Sequence, residues 1–165
     1  MPLRDRLALV PIELRAGALA FFLGLLHLLL LPPHGTDLAG QLARASFAKA
    51  HPLTPVDLSW YAGVHPYGYS VLAPYLMAVL GVPITGLVGA VAAAALLGRL
   101  LRPTAHPVAG ACLGAVFAVA DVVSGRTTFA LGAAAALATL LVLRHRRAAI
   151  VLAVKIALTA SATDG

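Results

Sequence analysis

Acidic side chains are what this chain has least of. Six aspartates and glutamates stand against twelve lysines and arginines in 165 residues, and charged residues of both signs make up only 11%. An ordinary soluble domain carries roughly 25% charged and about 45–50% apolar residues. Here the hydrophobic share is 61% and the mean hydropathy is +0.93. That balance excludes a water-soluble core and predicts an all-α, polytopic transmembrane protein. Cysteine is nearly absent too. Cys112 stands alone, so no intramolecular disulfide can form, and its place inside an apolar run predicts a small packing residue. No Walker loop, nucleotide-binding glycine motif, nucleophile elbow or heptad series occurs. His34, His51 and His65 lack the close spacing of a zinc site, so the residues themselves imply no metal.

The cations that are present fall in short clusters between apolar runs: Arg4, Arg6 and Arg15; Arg99 and Arg102; Arg144, Arg146 and Arg147. Such clusters set the orientation of membrane helices and differ from the continuous basic stripe of a nucleic-acid binder. Spans are predicted at about 16–31, 84–101, 107–122 and 127–143, with a partial final helix at 148–160 that contains Lys155. Pro32 and Pro33 end the first span, because neither can donate the next helical hydrogen bond. With its basic flank and no small-residue cleavage pattern after Leu31, this first span reads as an uncleaved anchor. The final run is short for a crossing, and the chain reads as the N-terminal portion of a longer protein.

Between the first two spans lies a polar section, 32–68, with Asp37, Asp57, Arg44, Lys49 and the aromatics Trp60, Tyr61 and Tyr67; Tyr69 follows. Leu38, Leu42 and Ala45 recur at helical spacing, with Gln41, Arg44 and Lys49 elsewhere on the wheel. This predicts an amphipathic helix at about 37–50 lying on the membrane surface. From Tyr69 to Gly98 no side chain is charged, and Gly81-Val-Pro83 interrupts the run. Either both halves cross, or 70–80 is a juxtamembrane or re-entrant helix and only the second half crosses. With the N-terminus in the cytoplasm, the second choice places Arg99, Arg102, Arg144, Arg146 and Arg147 on the cytoplasmic side, whereas the first places them all outside. The single crossing is therefore predicted, and with it Asp37 and Asp121 share the external face of a multi-pass cell-membrane protein.

Four stretches then stand in a suggestive order: Asp37-Leu-Ala-Gly-Gln-Leu-Ala-Arg-Ala; Trp60-Tyr61-Ala-Gly-Val-His-Pro-Tyr-Gly-Tyr-Ser; Leu72-Ala-Pro-Tyr-Leu-Met-Ala-Val-Leu-Gly81; and Gly125-Arg126-Thr-Thr-Phe-Ala-Leu-Gly132. Over about residues 12–147 this order resembles the N-terminal part of GT-C membrane glycosyltransferases, which take sugars from polyprenyl-phosphate donors. The resemblance implies Asp37 as general base toward an acceptor hydroxyl, and Asp121 as a second external carboxylate that contacts substrate or a divalent metal. It further implies Arg126, Lys49 and His65 beside the donor phosphate, with Tyr69 as a further substrate-binding candidate. The expected partners are membrane lipids, the polyprenyl-phosphate sugar and a glycan acceptor, and no nucleic acid. A non-catalytic membrane scaffold or transporter-associated protein is the alternative.

Each candidate also has a plainer role. Asp37 is placed to cap the helix that follows it. Asp121 is placed to pair with Arg126 across the turn. Asp57, after Pro55, reads as a loop or cap residue. His27, inside the first span, is expected to bond to a neighbouring helix, and the glycines at 110 and 114 to allow close helix packing.

Overall fold

A computed structural model describes residues 9–32, 34–58 and 70–163, with side chains as far as Arg147. Trp60, Tyr61, His65, Tyr67 and Tyr69 lie outside the described residues, as do Arg4 and Arg6. The described residues form helices α1 (Ile12–Leu30), α2 (Leu38–Ala50), α3 (Ala73–Leu80), α4 (Val82–Leu101), α5 (Pro107–Val123) and α6 (Thr127–Thr163). The fold is all-α, as the composition predicts. Three helices are long and apolar enough to cross a membrane: α1, α4 and the 127–147 part of α6; α5 is a shorter apolar helix of 17 residues.

Local sequence explains the helix limits. Leu31, next to Pro32, is extended at φ −118° and ψ 141°, the conformation a following proline imposes. The chain turns between α3 and α4 at Gly81, where φ is +84°, and Pro83 lies in the first turn of α4. With 8 residues, α3 rises only about 12 Å, far short of a hydrocarbon core of about 30 Å. The final apolar run is not a separate partial helix as expected. It continues α6 unbroken through Arg144–Arg147 to Thr163, since arginine is a good helix former and no glycine or proline intervenes.

The core is built from small side chains. Ala16 and Ala20 of α1, Ala94 of α4 and Ala111, Ala115 and Val119 of α5 form one buried cluster. Ala45, Ala73, Met77 and Val82 form a second, joining α2, α3 and α4. Large apolar side chains such as Phe21, Phe22, Phe117 and Phe129 point outward, as they do when the solvent is hydrocarbon and association depends on close backbone approach. Cys112 is exposed and so belongs to this outward set, not to the packing contacts expected of it.

Neighbour contacts give each helix a direction. Gly98 lies against Glu13, and Gly17 against Val91 and Ala95, so α4 runs opposite to α1. Gly110 lies against Leu101, so α5 turns back along α4. The Thr127 hydroxyl donates to the Val82 carbonyl at 3.4 Å, and an Arg144 guanidinium N–H to the Leu100 carbonyl at 3.3 Å, so α6 runs parallel to α4. One end of the bundle therefore holds Glu13, Arg99, Arg102 and Arg144. The other holds Leu31, Gly35, Asp37, Gly81 and Val123–Arg126. Glu13 accepts from Arg102 Nε at 3.0 Å and from a second guanidinium nitrogen of Arg102, and pairs with Arg99 at 3.7 Å. These directions place Asp37 and Asp121 at the same end of the bundle.

Two outcomes follow. With Cys112→Ser as background, cysteines at Ser124 and Thr104 are expected to react with an impermeant maleimide from opposite sides of the membrane; labelling of both from one side would overturn the helix directions. At Gly89 an added Cβ would come within 3.0 Å of the Leu131 nitrogen, whereas at Gly132 it meets nothing within 4 Å. Gly89→Val should lower unfolding stability in detergent by about 1–3 kcal/mol. Gly132→Ala should leave it unchanged or raise it by up to about 1 kcal/mol. Equal losses would contradict the packing of α4 on α6.

Candidate functional site

The segment that enters α2 and the turn that joins α5 to α6 pass each other at van der Waals contact. Gly125, at φ +77°, has no room for a side chain, because its Cβ would lie 2.7 Å from the Leu38 nitrogen. Gly35, at φ +133°, is pressed equally closely on the Ser124 carbonyl. Both positions need glycine for the positive φ and for the close approach. The Asp37 amide donates to the Ser124 carbonyl at 3.4 Å, and the Arg126 amide to the Asp121 carbonyl at 2.8 Å. Two side chains distant in sequence are thereby brought together: Arg126 Nε donates to Asp37 Oδ2 at 3.1 Å.

That ion pair corrects two expectations. Asp37 occupies the N-cap position of α2, yet its side chain makes no capping bond, because the carboxylate is turned to Arg126. The expected pair between Asp121 and Arg126 is not among the ion pairs of the described residues; Arg126 is taken by Asp37. The Asp121 backbone carbonyl instead accepts from the Ser124 hydroxyl at 3.1 Å.

A cavity of about 730 Å³ opens beside the pair, lined by Thr36, Asp37, Gly40, Gln41 and Arg44 on one side and by Arg126, Thr128, Phe129, Gly132, Ala133 and Ala136 of the α6 segment on the other. Its volume is that of a small-molecule site. Arg44 is only 7% exposed, and its guanidinium donates to the Ser70 carbonyl at 3.0 Å. The Thr128 hydroxyl donates to Gln41 Oε1 at 2.7 Å. Two guanidinium groups and one carboxylate leave the polar part of the cavity net positive. The wall along Phe129, Gly132, Ala133 and Ala136 is apolar. Such an arrangement can hold an anionic head and a hydrocarbon chain at once.

Gln41 and Arg44 are the residues that sequence reasoning missed. The α2 helix is amphipathic, but its buried face carries Gln41, Arg44, Ala45 and Ala48, while Leu42 is exposed. Of the expected apolar face, Ala45 is buried and Leu38 packs on the core, but Leu42 is exposed, and Gln41 and Arg44 are buried in its place. The physical reason is the medium. Next to hydrocarbon, a polar side chain gains most by finding partners inside, as Arg44 does at Ser70 and Gln41 at Thr128. The signal was present in the i, i+3 spacing of Gln41 and Arg44.

Of the other candidates, Lys49 is exposed in the last turn of α2 and does not line the cavity. Asp121 is half-buried one turn from the end of α5 and is also absent from the lining. His65 and Tyr69 are outside the described residues. Among the described residues no group of three or more His, Cys, Asp or Glu could hold a metal ion. His27 does not make the interhelical bond expected of it. Its Nδ1 is buried without a hydrogen-bond partner among the described residues, and its ring stands edge-on to His34 at 5.3 Å.

A double-mutant cycle on Asp37→Asn and Arg126→Gln is expected to give a coupling of no more than about 1 kcal/mol in unfolding, as for exposed ion pairs. Arg44→Met should cost more, about 1–3 kcal/mol, because the Ser70 carbonyl loses a charged donor. The reverse order would mean that the rim pair, and not Arg44, fastens α2.

In comparisons with known proteins, no family, no curated protein and no solved structure matches the chain.

Proposed function

We propose that this membrane protein binds a polyprenyl-phosphate sugar at the aspartate end of the bundle and belongs to a glycosyltransferase of the GT-C type, with that end external and the N-terminus cytoplasmic. One observation carries the reading: Asp37, Arg44 and Arg126 meet in one cavity that has an apolar wall. Transfer of a sugar from a lipid phosphate needs a base for the acceptor hydroxyl and compensation of the charge left on the departing phosphate. Asp37 supplies a carboxylate that takes the proton as the acceptor oxygen attacks the anomeric carbon. Arg44 and Arg126 supply charge-assisted N–H donors to the phosphate oxygens. The Phe129–Ala136 wall receives the first isoprene units. Asp121, outside the lining, has no step in this reading.

The test is sugar transfer from a radiolabelled polyprenyl-phosphate donor in membranes that carry the protein. Asp37→Asn is expected to lower the rate by about 10²–10⁴-fold, the usual contribution of a positioned general base, with thermal stability nearly unchanged. Undiminished transfer in the variant would remove Asp37 as the base.

A further inference from the structure

The ion pair and the proposed reaction make competing demands on the same atoms. Arg126 Nε carries one proton, and it is donated to Asp37 Oδ2 at 3.1 Å. A phosphate held side-on by Arg126, through Nε–H and one terminal N–H, needs that N–H too. A carboxylate that removes a proton from a hydroxyl must likewise offer that hydroxyl an oxygen not already accepting from a cation. Arg44 is buried and donates to the Ser70 carbonyl. Arg126 is the movable partner: its side chain is 56% exposed at the cavity rim, and that of Asp37 is 48% exposed.

We propose that an anionic lipid headgroup displaces Asp37 from Arg126, so that one binding event seats the phosphate and releases the carboxylate. This rests on the lipid-phosphate reading of the cavity. In the resting arrangement Asp37 is an internal stand-in for the phosphate. On binding, the Arg126 fork turns from carboxylate to phosphate, and Asp37 Oδ2 is left open to the acceptor hydroxyl. The base is thus made competent only when the donor is present, and the order is donor first, acceptor second. A lipid and not free phosphate is the intended ligand, because the cavity continues along the apolar Phe129–Ala136 wall.

The experiment is equilibrium binding of farnesyl phosphate to the full chain in detergent micelles, with farnesol and inorganic phosphate as reference probes. Farnesyl phosphate is expected to bind more tightly than either reference. Removing the internal competitor should strengthen binding: an exposed ion pair is worth up to about fivefold in an equilibrium constant, so Asp37→Asn should tighten farnesyl phosphate by about three- to fivefold. Asp37→Glu, which keeps the competing charge, should bind like the wild type. Unchanged or weaker binding by Asp37→Asn would overturn the exchange while leaving the lipid-phosphate site standing. Absence of farnesyl phosphate binding by the wild type would remove both. A measurement on the unaltered protein guards against misfolding of the variant: the Arg126 Nε–H resonance of arginine-labelled protein should shift on addition of farnesyl phosphate and not of farnesol. A resonance indifferent to farnesyl phosphate counts against the exchange.

Discussion

Close approach between helix backbones is the constraint on which the rest of this structure depends. In hydrocarbon, apolar side chains gain little by leaving the solvent, so helices associate through packing and internal polar contacts. The chain meets that condition with alanine and glycine along the faces of α1, α4 and α5. Helix α4 lies against α1, α5 and α6, and the direction of every neighbour is set relative to it. The arginine end and the aspartate end exist because that packing is antiparallel for α1 and α5 and parallel for α6.

The polar groups obey the same medium. Glu13 collects Arg99 and Arg102 at one end. At the other, Asp37 collects Arg126, while Gln41, Arg44 and Thr128 bond inside. The cavity arises where this inward turning of polar side chains meets an apolar helix face. Its position depends on two glycines, Gly35 and Gly125, which let two chain segments touch where side chains would hold them apart.

Much of the fold was legible in the sequence, for identifiable reasons. The grouping of Arg99, Arg102 and Arg144 at one end of the bundle was legible in the charge placement. Pro32 and Gly81 marked real breaks. The Asp37 loop and the Arg126 helix start were both visible, but their meeting was not. It depends on contact between residues far apart in sequence, which periodicity does not report. Asp121 was the nearer partner for Arg126 along the chain, and proximity along the chain misled. The placement of Gln41 and Arg44 on α2 was misread because polar side chains were assigned to water, when the interior of the bundle offered better partners. The continuity of α6 was missed because an arginine cluster reads as a helix end, although arginine does not end a helix.

That continuity bears on how the cavity wall behaves. Thr127–Thr163 is 37 residues in one helix, about 55 Å long at 1.5 Å per residue, against a hydrocarbon core of about 30 Å. The cavity occupies its first turns. A helix of this kind is stiff, so a twist or tilt applied beyond the arginine end is carried along the shaft to Thr128 and Phe129. The wall of the cavity is therefore one end of a lever longer than a hydrocarbon core is thick.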